Sequence, residues 1–141
     1  MSGPAVPAVP AVSIDLLPFA KASGVELTSA SPDEVVGQVA WSPEGCTTGG
    51  VMHGGLLMTL ADTTGAVCAF LNLPEGAGTA TIESKTNLCR PVPSGVVTAT
   101  SVPLHVGRTT ILVQTTVRDD AGKLVSVTLQ TQAVLPSPVT R

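Results

Sequence analysis

Residues Val51 to Leu73 read VMHGGLLMTLADTTGAVCAFLNL, and Pro74 follows. From about Gly54 to Leu71 this is the only segment long enough for a substantial helix, which Pro74 ends. It is mostly apolar and of membrane-spanning length. Yet it holds His53, Gly54, Gly55, Asp62, Gly65 and Asn72, and a central aspartate costs about 2.5–3.5 kcal/mol on insertion scales. A helix apolar on every side belongs instead inside a soluble fold, wrapped by other elements.

Outward from that helix the chain turns to strands. On the N-terminal side, Asp15 to Ala22 forms a short helix interrupted by Pro18 and closed at Gly24. Val25 to Ala30 and Glu34 to Trp41 are two short strands joined by a Ser31-Pro32-Asp33 turn, and Ser42 to Gly50 is a polar, Gly-rich loop. After Gly78 the pattern alternates with period two, predicting strands over Thr79–Leu88, Val96–Val106, Thr109–Arg118 and Lys123–Val134. Ile111, Val113, Thr115 and Val117 make one face of the third of these. Val125, Val127, Leu129, Thr131 and Ala133 make the corresponding face of the fourth, with Asp119 to Gly122 as the hairpin turn between them. Two strands, one long helix and four strands give an α+β fold, an antiparallel sheet of about six strands packed on one central helix. Residues 13–135 form this single domain. Residues 1–12, with prolines at 4, 7 and 10, read as a flexible Ala/Val/Pro tail, and 136–141 as a C-terminal tail.

Composition narrows the function. Of 141 residues only 12% are charged, the net charge is −3 and aromatics make up 2%. With no basic stripe and little to stack on bases, nucleic acid is not the partner. So few charges on a small domain suggest that another subunit covers part of the surface. Cys46, Cys68 and Cys89 form no CxxC, and His53 and His105 complete no zinc spacing, so neither metal nor disulfide framework is expected. A reducing cytoplasm fits, and the N-terminus lacks the basic region of a signal peptide.

Two features carry chemistry. Asp62 is the only charged side chain from His53 through Leu73, with Gly65 and Ala66 leaving space beside it. A carboxylate in so apolar a segment is expected in poor solvent, where it can serve as general base or nucleophile. Its structural alternative is a bond to Thr59 or Thr63 that holds a subunit contact. His53-Gly54-Gly55 opens the same helix, where unpaired N–H groups bind anions and developing oxyanions. Gly54 and Asp62 are eight residues apart, roughly 12 Å along the helix. Reacting groups must lie within about 3–3.5 Å, so the two can share a substrate only if they come from different chains of a two-fold dimer.

These residues also resemble a known family. Val51-Met52-His53-Gly54-Gly55, Leu60-Ala61-Asp62, Asn87-Leu88-Cys89-Arg90-Pro91, His105-Val106-Gly107-Arg108 and Asp120-Ala121-Gly122-Lys123-Leu124-Val125 are similar, in order and spacing, to the PaaI-like acyl-CoA thioesterases of the hotdog fold. The resemblance covers residues 35 to 134. It implies a curved sheet wrapped around a long helix, a homodimer or dimer-of-dimers homotetramer, and hydrolysis of an aryl-acetyl, benzoyl-type or medium-chain acyl-CoA without any cofactor. Asp62 matches the catalytic carboxylate, the Gly54 N–H the oxyanion donor, and His53 a histidine at the thioester. Gly55 leaves room for substrate, and Thr81 falls where relatives carry Ser or Thr near the carboxylate. Six residues before the histidine, relatives often place Asn or Gln; here Thr47 stands there with Thr48 beside it, candidates for holding substrate. Arg90 and Arg108 are candidates for the coenzyme A phosphates.

Other readings compete. Cys46 as a nucleophile lacks a basic neighbour. No G-x-S-x-G, G-x-G-x-x-G or phosphate loop occurs. A hotdog dehydratase acting on hydroxyacyl thioesters would pair a catalytic histidine with the carboxylate, whereas His53 precedes the helix. A non-catalytic acyl-CoA-binding module is the alternative from a different class, and Thr47 is the feature that favours it.

Overall fold

Branched residues at alternate positions and turn residues at regular intervals produce six strands around the expected helix. In the computed structural model, which describes residues 12–137, the elements are α1 (Pro18–Ala22), β1 (Glu26–Ala30), β2 (Val35–Ala40), α2 (Gly54–Phe70), β3 (Gly78–Leu88), β4 (Val96–Val106), β5 (Thr110–Arg118) and β6 (Leu124–Leu135). Single 3-10 turns lie at Ile14–Leu16 and Pro43–Gly45. The strands form one antiparallel sheet in the order β1-β2-β4-β5-β6-β3. It curves around α2, so the fold class and the element pattern agree with expectation. The assigned tails at 1–11 and 138–141 lie outside the described residues, while Val12 is buried with Val67 and Cys68. No helix among the described residues is long and apolar enough to cross a membrane.

The helix rests on the sheet where side chains are small. Gly37 and Ala99 face each other across β2 and β4, with Val35 opposite Ser101, and all four are buried. A Cβ on Gly37 would stand 2.7 Å from the Thr64 methyl of α2. This close seating leaves no room for aromatics: Phe19 and Phe70 are exposed and Trp41 only partly buried. Val39, Leu57, Leu60, Val97, Val117 and Val125 fill one end of the core, and Val35, Val67, Ile111 and Val113 the other.

Between the two ends runs a polar seam. Ser101 Oγ donates to Thr64 Oγ1 at 2.9 Å and pairs with Thr115 Oγ1 at 2.6 Å, while Thr64 Oγ1 donates to the Leu60 carbonyl at 3.1 Å. With each hydroxyl proton used once, the chain runs Thr115 to Ser101 to Thr64 to backbone, so every buried hydroxyl in it is satisfied.

The face of β6 requires a correction. Val127, Leu129, Thr131 and Ala133 share one face, as the alternation predicts, but that face looks away from α2; Ser126, Thr128, Gln130 and Gln132 are the buried ones. The register explains it. Thr115 of β5 pairs with Thr128 of β6, and directly opposed residues share a face, so buried odd positions on β5 force buried even positions on β6. Val125 is left over between the pairs Val117↔Ser126 and Arg118↔Leu124, a bulge that turns both Val125 and Ser126 inward. The hairpin turn is as expected, with Asp119 Oδ1 accepting from the N–H groups of Ala121 and Lys123 and Gly122 at φ 77°.

Two outcomes test this core. Ser101→Ala strips Thr115 of its acceptor and should lower unfolding free energy by about 1–3 kcal/mol in urea titration. Burial pushes the Cys68 thiol from its ordinary 9.0 up to about 11. In the native protein a disulfide reagent at pH 8 should therefore label exposed Cys89 and spare Cys68. Above pH 9 the unfolded chain holds fewer protons on Cys68 than the folded one, so its contribution to stability should fall as pH rises toward 11.

Candidate active site

One stripe of α2 escapes the sheet. Met58, Asp62 and Phe70 are exposed and Ala66 half-buried, at the four-residue spacing of one helix face. With Leu16 and Phe19 from the N-terminal segment, they line an open apolar groove of about 860 Å³. Among the described residues that line it, Asp62 is the only ionisable side chain. The expectation that Asp62 sits enclosed in poor solvent is therefore corrected: its carboxylate opens onto the groove, since its helical position points along the stripe no strand covers. Nor does it bond to Thr59 or Thr63, whose hydroxyls donate back to the carbonyls of Gly55 and Thr59 at 2.9 and 2.7 Å.

Its partner is Gln130. The Gln130 Nε2 donates to Asp62 Oδ1 at 2.7 Å, and among the described residues Oδ2 has no partner. The same Nε2 lies 3.5 Å from Thr81 Oγ1, which accepts at 2.8 Å from Gln132 Nε2. Thr79 Oγ1 in turn donates to Gln132 Oε1 at 3.1 Å. Thr81 is thus joined to the carboxylate through the buried Gln130, and the buried Gln132 holds Thr81 from its other side. Neither glutamine stands out in the sequence, where alternation on β6 marks the polar positions as the solvent face. The one available signal was the parity that pairing with β5 imposes.

At the start of α2 a different set assembles. His53 is the N-cap, its Nδ1 accepting from the Gly55 N–H at 2.7 Å, so the neutral ring carries its proton on Nε2. Gly55 makes this possible, since a Cβ there would lie 2.9 Å from Nδ1. The His53 N–H donates to the Gly45 carbonyl and the Met52 N–H to that of Val92, both at 2.8 Å, fixing where the helix begins. Gly54 packs so closely on Leu88 of β3 that a Cβ would come within 2.7 Å of it. Among the described residues the Gly54 N–H has no acceptor. His53 and Gly55 line a second recess of about 630 Å³ that shares Thr59 and Phe19 with the groove.

The remaining candidates are not gathered here within one chain. Thr47 and Thr48 are exposed on a tight hairpin, where the Thr47 N–H donates to the Val51 carbonyl at 2.9 Å, and they line neither recess. Arg90 and Arg108 are both exposed. Arg90 follows β3 at the end of the sheet that holds Gly54, while Arg108 follows β4, which runs antiparallel to β3 and ends at the opposite edge. No three His, Cys, Asp or Glu side chains cluster among the described residues.

This arrangement has known counterparts. A model of the thioesterase superfamily matches residues 49–126, more than half of the chain. A relative from Vibrio cholerae is 38% identical over 85 residues, 60% of this chain and 57% of that one, so the match spans little over half of its length. The crystal structure of a thioesterase from Haemophilus influenzae superposes with a TM-score of 0.79 at 30% identity, over 83% of this chain and 82% of that one. A variant of the phenylacetic acid degradation protein PaaI from Thermus thermophilus superposes with a TM-score of 0.77 at 27% identity, over 84% and 99%. The chain belongs to the thioesterase superfamily, as a thioester hydrolase of the hotdog fold.

Proposed function

We propose that the chain hydrolyses the thioester of an acyl-coenzyme A, with Asp62 as general base or nucleophile and the Gly54 N–H of a second subunit as oxyanion donor. The observation that carries this is a lone carboxylate on the wall of an apolar groove, on the same helix as an N–H that has no acceptor among the described residues. The groove suits an aliphatic or aryl acyl group. As base, Asp62 takes a proton from water through Oδ2 while the water oxygen attacks the carbonyl carbon. The carbonyl oxygen becomes an oxyanion that the Gly54 N–H and the positive end of α2 stabilise. Collapse breaks the C–S bond, and the thiolate takes up a proton to leave as free coenzyme A beside the carboxylic acid. As nucleophile, Asp62 would form an anhydride that water then cleaves to the same products.

A homodimer is supported by the edge of the sheet. β3 offers eleven residues of edge backbone with Ile82 and Leu88 exposed, beside the exposed stripe of α2. Uncovered, such an edge invites strand pairing. Antiparallel pairing of β3 with a second copy would bring the two α2 helices alongside in opposite directions. That spans the roughly 12 Å between Gly54 and Asp62 that one helix cannot close.

The dehydratase reading loses support from His53, whose Nδ1 is engaged in capping. Thr47, the feature that favoured a non-catalytic module, lies on the hairpin outside the groove.

Release of free thiol from a panel of acyl-CoAs tests the proposal. Wild type should turn over at least one member, and Asp62→Asn should lose about 100-fold or more in kcat with its fold and dimer intact; tight binding without turnover would instead identify a binding module. By sedimentation the active species should be a dimer or larger, and a fully active monomer would remove the two-chain site.

A further inference from the structure

We infer that Gln130 is a positioning residue for Asp62, holding Oδ1 so that Oδ2 meets the substrate, and that Gly65 is the notch that admits it. The inference rests on the proposed role of Asp62. A carboxylate on an uncovered helix face turns freely among its rotamers, whereas a base or nucleophile must hold one oxygen within about 3–3.5 Å of its target. Among the described residues, Gln130 is the one side chain that fixes it, through Nε2 at 2.7 Å.

The orientation of the amide is informative. Gln130 is wholly buried, and its Oε1 is buried with no hydrogen-bond partner among the described residues. A glutamine kept only for packing would satisfy both ends, and an apolar side chain of the same length would fill the space without an orphaned carbonyl. Flipping the amide would set Oε1 against a carboxylate oxygen. The unsatisfied end is thus the cost of keeping an N–H on Asp62.

Gly65 completes the fit. A Cβ at this position would overlap Gln130 Oε1, so the glutamine crosses the helix only because that residue has no side chain. Glycine in a helix interior is otherwise unfavourable, and no turn requires it here. The Thr81 hydroxyl, 3.5 Å from Gln130 Nε2 and bonded to Gln132, steadies the amide from β3.

Gln130→Met, similar in length but without a donor, tests this with the acyl-CoA that wild type cleaves fastest. A misplaced reacting group costs roughly 100-fold in rate, so kcat should fall by about that factor while KM stays unchanged. Where the apolar variant does not fold, Gln130→Asn keeps an amide that ends one carbon short, and the same split is expected. A folded variant with wild-type kcat, or with kcat kept and KM raised, overturns the positioning role. Asp62→Asn run alongside separates the two claims: if it is inactive and Gln130→Met is not, only the positioning role falls, and if it retains full turnover, the proposed mechanism itself fails.

Discussion

Helix α2 can lie close on the sheet because Gly37, Ala99, Ser101 and Gly65 leave no bulk between them, and the rest of the molecule follows from that approach. Close seating removes the space aromatic residues would fill, and a chain with 2% aromatics folds around it. It also brings hydroxyl and amide groups into van der Waals range of helix backbone, where each must find a partner or stand as a cost. The Thr115–Ser101–Thr64 chain meets that requirement. Gln130 meets it at one end only, the end on Asp62.

The same packing decides which side of α2 stays open. The sheet and the N-terminal segment cover the rest, leaving Met58, Asp62, Ala66 and Phe70 toward the groove beside the β3 edge. A carboxylate there has an apolar wall on one side and a buried hydrogen-bond donor behind it. At the head of the helix, the His53 cap uses the Gly55 N–H and leaves that of Gly54 for another acceptor. In the proposed hydrolysis the head of one helix and the mid-helix carboxylate of another act on the same thioester.

Much of this was legible along the chain. Pro74, Gly78 and the Asp119–Gly122 turn set element boundaries, and the spans read for the six strands and the long helix lie within a residue or two of those observed, whereas the short helix read over Asp15–Ala22 is a 3-10 turn followed by α1 from Pro18. His53-Gly54-Gly55 and Asp62 were also visible, as odd residues in an apolar run. Gln130 and Gln132 were not, because period-two alternation says which residues share a face but not which face is covered. Exposure of Asp62 was hidden for the same reason: a helix with nearly uniform hydrophobicity carries no mark of its open side.

By itself the sequence determined the order of elements, the single long helix and the two chemically unusual places on it, since turn residues, proline and charge act locally and are read locally. The tertiary structure alone decided that β6 turns its polar face inward, that Asp62 looks into a groove and that Gln130 reaches it over Gly65. Those facts depend on strand register and on the distance between helix and sheet. Both are set by residues far apart in the chain that meet only after folding.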